Sequence, residues 1–263
     1  MLTLTILNFN GEDTLRDSIQ SVLNQTQKPD RFLVIDNAST DNSRQIAVDM
    51  GVEVVDADNR FKFITGLNTA MSLNTDLLFF MQNDVVLDRE CLSNISFIVP
   101  RYSFIAQPVI YQTDGQIDNA GMDIHWPGFG ERRSYQWWYG DYLQDCGLVT
   151  TICFFTNLKK HRYSEIFSPA YYEDVSFKLE YPEVKHLLVP NAKAIHKGNH
   201  TFSQTYKKAE ISRICWVNRG KLIRKHYRGL DRLLRLTVST CCYVVAKAFK
   251  VIRNWWISPN HGK

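Results

Sequence analysis

Apolar residues in the first hundred positions recur with two alternating spacings. Compact apolar runs, such as residues 77–81, are typical of strands buried on both faces of a sheet. Between these runs, apolar residues such as Leu15, Ile19 and Val22 fall every three or four positions, which is typical of amphipathic helices. The pattern predicts strands over residues 2–8, 31–35, 52–55 and 77–81, helices over residues 12–25 and 66–73, and a helix that Ser39 or Asp41 caps and that ends at residue 50.

This alternation of strand and helix predicts an α/β protein with a parallel sheet and right-handed crossovers. The pattern beyond residue 100 is less regular, because glycine, proline and aromatic residues interrupt it. It predicts strands over residues 104–111, 149–155, 184–189 and 192–195, a short helix after residues 169–175, and helices over residues 204–226 and 230–255.

Polar side chains follow each of the first four predicted strands. The carboxyl ends of parallel strands meet at one edge of a sheet, where ligands bind in open α/β folds. At a single position, an Asn or Asp is explained equally well as a turn or a helix cap. Four such positions in register predict one polar cleft, formed by Asn8-Phe9-Asn10, Asp36-Asn37, Asp58-Asn59 and Gln82-Asn83-Asp84.

Composition indicates an ordinary globular protein with a basic tail. Charged residues make up 22% and hydrophobic residues 44% of the 263 positions. From Arg228 onward, seven Lys or Arg stand against one acid, so the net charge of +4 comes from the tail.

The six cysteines form no CxxC or His/Cys cluster, so we expect neither a zinc site nor a disulfide framework. We expect no signal peptide, because the chain opens with a strand pattern and no basic segment, and therefore expect a cytoplasmic protein.

Several ordered motifs resemble family 2 glycosyltransferases. The chain is most similar to the branch that contains rhamnosyltransferases and related enzymes of bacterial surface-polysaccharide assembly, and the resemblance covers residues 2–205. The motifs are ILNFNG (6–11), SIQSVLNQT (18–26), VIDNASTDNS (34–43) and YEDVSF (172–177), followed by His196.

The resemblance implies the GT-A fold, in which a Rossmann-like nucleotide-binding half is fused to a mixed-sheet acceptor half. We expect this catalytic domain to occupy residues 1–205, and residues 206–263 to form a basic amphipathic helical region. The implied activity is inverting transfer of a sugar from a nucleotide-diphosphate sugar, UDP- or dTDP-linked, to a saccharide or lipid-linked saccharide. The resemblance implies that this transfer is a step in the synthesis of cell-surface polysaccharide.

The resemblance also assigns nucleotide-binding and metal-binding residues. Asp36 would accept hydrogen bonds from the base, which suits the N–H of a pyrimidine imide, and Asn8 and Asn10 would frame the base and ribose. The family's metal motif corresponds to Gln82-Asn83-Asp84, in which only Asp84 is acidic. Asp84 would bind Mg²⁺ or Mn²⁺, which bridges the donor phosphates, while Gln82 and Asn83 would contact the donor.

Three further assignments follow from the resemblance. Asp174 would be the general base that takes the proton of the acceptor hydroxyl, and Glu173 would point elsewhere and support the loop. His196 would lie near the metal and diphosphate, although a single histidine is often structural. The segment from Asn59 to Asn68 matches the family's donor-binding loop poorly, and we retain Asn59 and Asn68 as candidates.

Other functions are disfavoured or remain open. A dehydrogenase would need G-x-G-x-x-G after the first strand, where Asn8-Phe9-Asn10-Gly11 stands instead. A nucleotidyltransferase would need a Gly-rich, Lys-bearing loop at the same place. A nucleotide-sugar-binding module that has lost catalysis stays open because Gln82 replaces an acid, although Asp84 and Asp174 oppose it. We expect no nucleic-acid partner.

The basic tail predicts an amphipathic helix at an interface. Residues 230–257 combine leucine, valine and aromatic residues with regularly placed Arg and Lys, and the longest uncharged run, 236–246, is too short to span a bilayer. An anionic membrane surface would suit such a helix. Packing on its own domain or on a second subunit, as in a homodimer, is the alternative.

Overall fold

A computed structural model describes residues 1–57, 62–96, 99–126, 128–135, 140, 143–198 and 205–257, with the side chains of the last range as far as Tyr243. The strands are β1 (Leu2–Asn8), β2 (Arg31–Asp36), β3 (Glu53–Asp56), β4 (Leu77–Gln82), β5 (Val85–Leu87), β6 (Phe104–Tyr111), β7 (Ile117–Asn119), β8 (Met122–His125), β9 (Phe129–Arg132), β10 (Gln144–Asp145), β11 (Cys153–Thr156) and β12 (Lys185–His196). The helices are α1 (Leu15–Leu23), α2 (Ser43–Asp49), α3 (Phe63–Met71), α4 (Cys91–Ser96), α5 (Glu173–Glu180), α6 (Lys208–His226) and α7 (Gly229–Ile257), and a 3-10 helix covers Glu165–Phe167.

One mixed sheet organises the chain. Its path is β10-β12-β6-β11-β4-β1-β2-β3, with β5 paired to β12 and β7 paired to β6. Strands β4, β1, β2 and β3 run parallel, whereas β11 is antiparallel to both β4 and β6. The predicted α/β class, with a Rossmann-like half joined to a mixed-sheet half and C-terminal helices, is therefore confirmed.

The central strands are buried on both faces, which explains their continuous apolar sequences. In β4, Phe79 and Met81 pack in one core cluster, while Leu78 and Phe80 pack in the cluster on the other side. Burying a side chain of this size contributes about 1.5–3 kcal/mol. These two layers hold the carboxyl ends of β1 and β4 in fixed positions.

The second half of the chain departs from the predicted elements for identifiable reasons. The predicted strand 149–155 begins only at Cys153, because Val149 and Thr150 donate their N–H groups to the side chains of His186 and Gln107 rather than to a strand. The strands predicted at 184–189 and 192–195 form the single strand β12, with an irregularity between Val189 and Lys193. The β8–β9 hairpin and strands β5, β7 and β10 were not predicted.

Helix α6 packs into one of the two core clusters that flank the sheet. Leu222 is fully buried in the same cluster as Phe80 and Phe177. The buried Asn218 amide donates to the carbonyls of Phe167 and Ala170 at 2.6 and 2.8 Å. A domain boundary at residue 205, as predicted, would therefore separate α6 from the residues that it contacts.

Helix α7 packs on α6 along one face. Trp216 stacks on Tyr243 with ring centroids 4.8 Å apart, and the Arg235 guanidinium lies 3.9 Å from the centre of the Tyr227 ring. The other face is apolar and exposed, with Leu230 70% and Leu233 61% accessible. In the part of the chain that the structure describes, no helix is both long and apolar enough to cross a bilayer.

Candidate active site

Buried amides and carboxylates join the ends of β1, β2 and β4. Asn8 Nδ2 donates to Asp36 Oδ1 at 2.9 Å, and Asn83 Nδ2 donates to Asn8 Oδ1 at 2.9 Å. Ser39 also binds Asp36, through its main-chain N–H at 3.1 Å and its hydroxyl at 2.7 Å. A Cβ atom at Gly11 would overlap the Asn83 amide, so this arrangement requires glycine there. The three strand ends therefore meet as a rigid polar layer.

The other amides predicted to bind the nucleotide have different surroundings. Asn10 adopts a positive φ of 46° and ties the first loop to the second, since its Oδ1 accepts the N–H of Thr40 at 2.8 Å. Asn68 uses both ends of its amide on the main chain of Tyr163, at 2.9 and 2.8 Å. This geometry supports a structural role for Asn68 rather than a donor contact. Asn59 lies outside the described residues.

A cavity opens above the polar layer, between the two halves of the sheet. The half that contains β1 to β4 contributes Phe9, Asn37, Gln82 and Asn83, and the other half contributes residues from five segments of the chain. Asn37 is 2% exposed, and its Oδ1 makes no hydrogen bond to any of the described residues. Residues that line the opposite side include Arg132, Thr150, Thr151, Tyr171, Tyr172, Glu173, Asp174 and His196.

The three candidate carboxylates do not line the cavity equally. Asp174 lies on its wall, whereas Asp36 and Asp84 are 4% and 2% exposed and are absent from the lining among the described residues. Their neighbours Asn37 and Asn83, although equally buried, belong to the cavity lining instead. The expectation that Asp36 and Asp84 line the predicted cleft is thus corrected, because Asn8 and Ser39 hold Asp36 beneath the cavity and Asp84 lies against His196.

The start of α5, with the residues just before it, forms part of the cavity wall. Tyr171 and Tyr172 both adopt positive φ values, 73° and 74°, so the chain turns sharply just before Glu173. Asp174 Oδ1 accepts the N–H of Val175 at 2.7 Å. Burial raises the pKa of the Asp174 carboxyl to about 6, against opposing hydrogen bonds and the charge of Arg132. Asp174 is therefore ionised at neutral pH and faces the cavity.

Glu173 faces the same cavity instead of pointing elsewhere as predicted. Thr151 Oγ1 donates to its Oε1 at 2.9 Å, while its Oε2 has no hydrogen-bond partner in the part of the chain that the structure describes. The side chain is only 4% exposed. Burial, together with the charge of Asp174, raises the pKa of Glu173 to about 8, so this carboxyl is protonated at neutral pH.

Two buried side chains position residues 149–150, on the same side of the cavity as α5. His186 Nδ1 accepts the N–H of Val149 at 3.1 Å, and Gln107 Oε1 accepts the N–H of Thr150 at 3.1 Å. Burial lowers the pKa of His186 to about 3, so the ring stays neutral and its nitrogen can accept. Sequence reasoning missed both residues, because a single buried His or Gln carries no pattern.

Asp84 and His196 form the candidate metal site. His196 Nε2 lies 3.3 Å from Asp84 Oδ2, and His196 Nδ1 lies 3.0 Å from Asp118 Oδ2. Burial lowers the pKa of His196, but the hydrogen bonds and charges of Asp118 and Asp84 outweigh it and raise the pKa to about 9. The imidazole is therefore protonated between two carboxylates.

Asp84 and His196 fit a divalent cation whose other ligands would be substrate phosphates and water. Asp84 Oδ1 is buried and accepts no hydrogen bond from the residues with described positions, so one carboxylate oxygen is left for a ligand. Within the described ranges, no three His, Cys, Asp or Glu side chains converge as a complete metal site. Mg²⁺ is commonly held by one or two carboxylates together with substrate phosphates and water. An incomplete protein ligand set is consistent with such a cation.

Comparisons with solved structures show the same fold. S. aureus TarS 1-349 in complex with UDP-GlcNAc superposes with a TM-score of 0.56 at 12% identity, covering 87% of this chain and 68% of that one. The mannosyltransferase PcManGT from Pyrobaculum calidifontis, in complex with GDP-Man and Mn2+, gives 0.57 at 9% identity, covering 92% and 69%. The chain spans 40% of the length of the longer TarS structure.

Sequence comparison identifies the family. No curated protein matches the sequence significantly. The model of "Glycosyl transferase family 2" matches residues 3–158, which is more than half of the chain and includes the polar layer and the metal motif. With the parallel half and the antiparallel β11, this match shows that the chain belongs to glycosyl transferase family 2 and has the GT-A fold.

Proposed function

We propose that this protein is an inverting glycosyltransferase that uses a nucleotide-diphosphate sugar and a saccharide or lipid-linked saccharide acceptor. One observation carries the proposal: the cavity is lined by the strand ends of the nucleotide-binding half on one side and by the ionised Asp174 on the other. A donor bound along β1 and β4 would present its sugar between these walls. UDP- or dTDP-linked hexose or deoxyhexose donors are proposed, and the related structures bound to UDP-GlcNAc and GDP-Man support a nucleotide sugar.

Each residue of the site has a task in this reaction. Asn37 and the Asn8–Asp36 layer bind and orient the base and ribose. Asp174 takes the proton of the acceptor hydroxyl while that oxygen attacks the anomeric carbon from the face opposite the diphosphate. The bond between that carbon and the diphosphate oxygen breaks, and its electron pair leaves with the nucleoside diphosphate.

Asp84 and His196 would hold a Mg²⁺ or Mn²⁺ ion. A bound cation supplies charge stabilisation to the departing diphosphate. Since ligands must be deprotonated to bind a metal, the proton of His196 would have to leave before its nitrogen bound the ion. Gln82 donates to the Thr151 carbonyl at 3.1 Å, so it positions the opposite wall whether or not it touches the sugar.

We also propose a different division of the chain from that expected at residue 205. The contacts of Asn218 and Leu222 support a catalytic unit that continues through α6 to His226. Helix α7 then serves as a peripheral element. Its exposed leucines and the basic tail support attachment to an anionic membrane surface, where a lipid-linked acceptor of polysaccharide synthesis would be found.

A donor panel tests the function. UDP-, dTDP- and GDP-sugars are screened by thermal unfolding with Mn²⁺ and with EDTA. A ligand at 100 times its Kd stabilises the folded state by about 2.7 kcal/mol. We expect one nucleotide class to stabilise the protein with Mn²⁺ and to be hydrolysed slowly.

The Asp84→Asn variant is the control for the metal. It keeps the size of the side chain, so it should stay folded while losing the Mn²⁺-dependent stabilisation and most hydrolysis. Binding without any hydrolysis or transfer in the wild type would indicate a module that has lost catalysis. Absence of binding by every donor would contradict the proposal.

A further inference from the structure

A second cationic side chain lines the cavity next to the candidate metal site. Arg132 is the last residue of β9 and belongs to the unpredicted β8–β9 hairpin. It lies on the cavity lining together with Asp174 and His196. No motif in the sequence marks this arginine.

Asp118 binds Arg132 and His196 at the same time. Arg132 Nη1 donates to Asp118 Oδ1 at 2.9 Å, and His196 Nδ1 lies 3.0 Å from Asp118 Oδ2. The guanidinium and the imidazole are thus held by the two oxygens of one carboxylate. The guanidinium therefore lies close to the place where Asp84 and His196 would meet a diphosphate.

The next residue, Arg133, serves as a comparison, because it pairs with an aspartate but does not belong to the cavity lining. Arg133 binds Asp123 through both Nε and Nη2, and its side chain is 19% exposed. Arg132 binds Asp118 through Nη1, and its side chain is 41% exposed. A guanidinium has five N–H donors and matches the geometry of phosphate oxygens. Arg132 thus brings donors and a positive charge to the cavity, where Arg133 does not.

We propose that Arg132 is a phosphate-binding residue of this site, held in place by Asp118. The inference rests on the proposed function, since it assumes that a phosphorylated substrate enters the cavity. The contact to Asp118–His196 favours the donor diphosphate as the phosphate source. A phosphate on a lipid-linked acceptor has the same chemistry and is the other source.

Titration calorimetry with UDP and UMP in the presence of Mn²⁺ tests the donor as the source. The full-length wild type is compared with Arg132→Gln and with Arg133→Gln as the matched neighbour. A charge-assisted hydrogen bond to phosphate corresponds to about 10- to 100-fold in affinity. We expect Arg132→Gln to lose that factor for UDP and much less for UMP, while Arg133→Gln binds both as the wild type does. If dTDP or GDP is the nucleotide that the wild type prefers, it and its monophosphate replace UDP and UMP.

A second titration, of glycerol 3-phosphate into the UDP-saturated protein, tests the acceptor side. Loss of that binding in Arg132→Gln, with unchanged UDP affinity, assigns the guanidinium to an acceptor phosphate. Arg132→Lys, which keeps the charge, should restore part of either effect. Unfolding curves of all three variants show whether each is folded.

Two negative results have different meanings. Unchanged affinity of Arg132→Gln for UDP, UMP and glycerol 3-phosphate would overturn the role of Arg132 and leave the proposed function intact. A wild type that binds none of the nucleoside diphosphates would overturn the proposed function itself, and this inference with it.

Discussion

At the scale of single residues, two adjacent carboxyls have different protonation states. Asp174 is stabilised as an anion by the N–H of Val175, whereas Glu173 is almost fully buried with one unpaired oxygen. The two groups repel each other when both are charged, so they titrate as a pair. Near neutral pH the pair carries one negative charge, on Asp174, the proposed general base. This separation of roles is common where environments shift neighbouring acids apart.

The first prediction concerns Asp174→Asn. Asparagine has nearly the same shape but cannot take a proton, so kcat should fall by about 10²- to 10⁴-fold, the usual contribution of a general base. Donor affinity should change little, because Asp174 acts on the acceptor. Steady-state kinetics and calorimetry with the donor separate the two effects. Equal loss of donor affinity would indicate a binding role instead.

The second prediction concerns pH and activity. Because the pKa of Asp174 is raised to about 6, kcat/KM should decline as the pH falls through that value and the base becomes protonated. The ordinary pKa of an aspartate, about 3.9, would place this decline two pH units lower. A profile that stays flat down to pH 5 would argue against Asp174 as the base.

The third prediction concerns pH and stability. The pKa of Glu173 is raised in the folded protein to about 8 from an ordinary value of 4.5. The folded state therefore holds a proton that the unfolded state has lost between these values, and the free energy of unfolding falls as pH rises through this window. Glu173→Gln stays neutral at every pH, so its free energy of unfolding should fall less between pH 5 and pH 9 than that of the wild type. Denaturant unfolding at pH 5 and pH 9 measures it, and an unchanged difference between the two pH values would contradict the prediction.

At the scale of elements, helix α6 holds the loop that leads into the site. The Asn218 amide also lies 3.3 Å from the Tyr171 carbonyl, so one side chain serves three carbonyls of the segment before Glu173. Buried carbonyls need a hydrogen-bond partner. The conformation of Tyr171 and Tyr172, which is unusual for residues other than glycine, therefore depends on a helix that lies about fifty residues further along the chain.

The fourth prediction tests this helix contact. Asn218→Ala removes a buried donor and should cost about 1–3 kcal/mol, together with a loss of kcat as the loop relaxes. Arg224→Ala, at an exposed position of the same helix, is the control and should leave both unchanged. Thermal unfolding and turnover are measured on both variants. Full activity in Asn218→Ala would show that the loop holds its shape without α6.

At the scale of the whole molecule, α7 presents one packed face and one apolar face. Tyr243 and Arg235 face α6 and its C-terminal end, while Leu230, Leu233 and Leu234 are exposed. The residues from Arg228 onward carry seven basic groups and one acid. An exposed apolar stripe next to concentrated positive charge suits an anionic lipid surface.

The fifth prediction is that α7 binds vesicles. The full chain should sediment with vesicles of phosphatidylglycerol at low salt and less so at high salt, because each basic group contributes about 1 kcal/mol near the surface and screening removes it. A chain ending at His226 should stay in solution while keeping donor hydrolysis. Replacing Leu230 and Leu233 by Gln should weaken binding without changing the charge. A full chain that ignores these vesicles and dimerises through α7 would assign the helix to a subunit interface.

The parallel half of the fold was determined by local sequence pattern. Apolar alternation and helical spacing depend on residues a few positions apart, so β1 to β4 were predicted to within two residues. The polar layer followed because each candidate side chain comes directly after its own strand. The polar residues at this end of the sheet could therefore be named from the sequence, and the motifs gave Asp174 and His196 as candidates.

Only the tertiary structure decided which residues support those candidates. Asp118 binds His196 from 78 positions away, and Asn218 binds the loop before Glu173 from about fifty. Gln107 and His186 hold residues 149–150 of the cavity wall. It also placed Asp36 and Asp84 beneath the cavity and Glu173 beside it. The reason is physical: local spacing predicts an element, whereas burial, pairing and protonation of a side chain depend on distant segments that meet only after the sheet has folded.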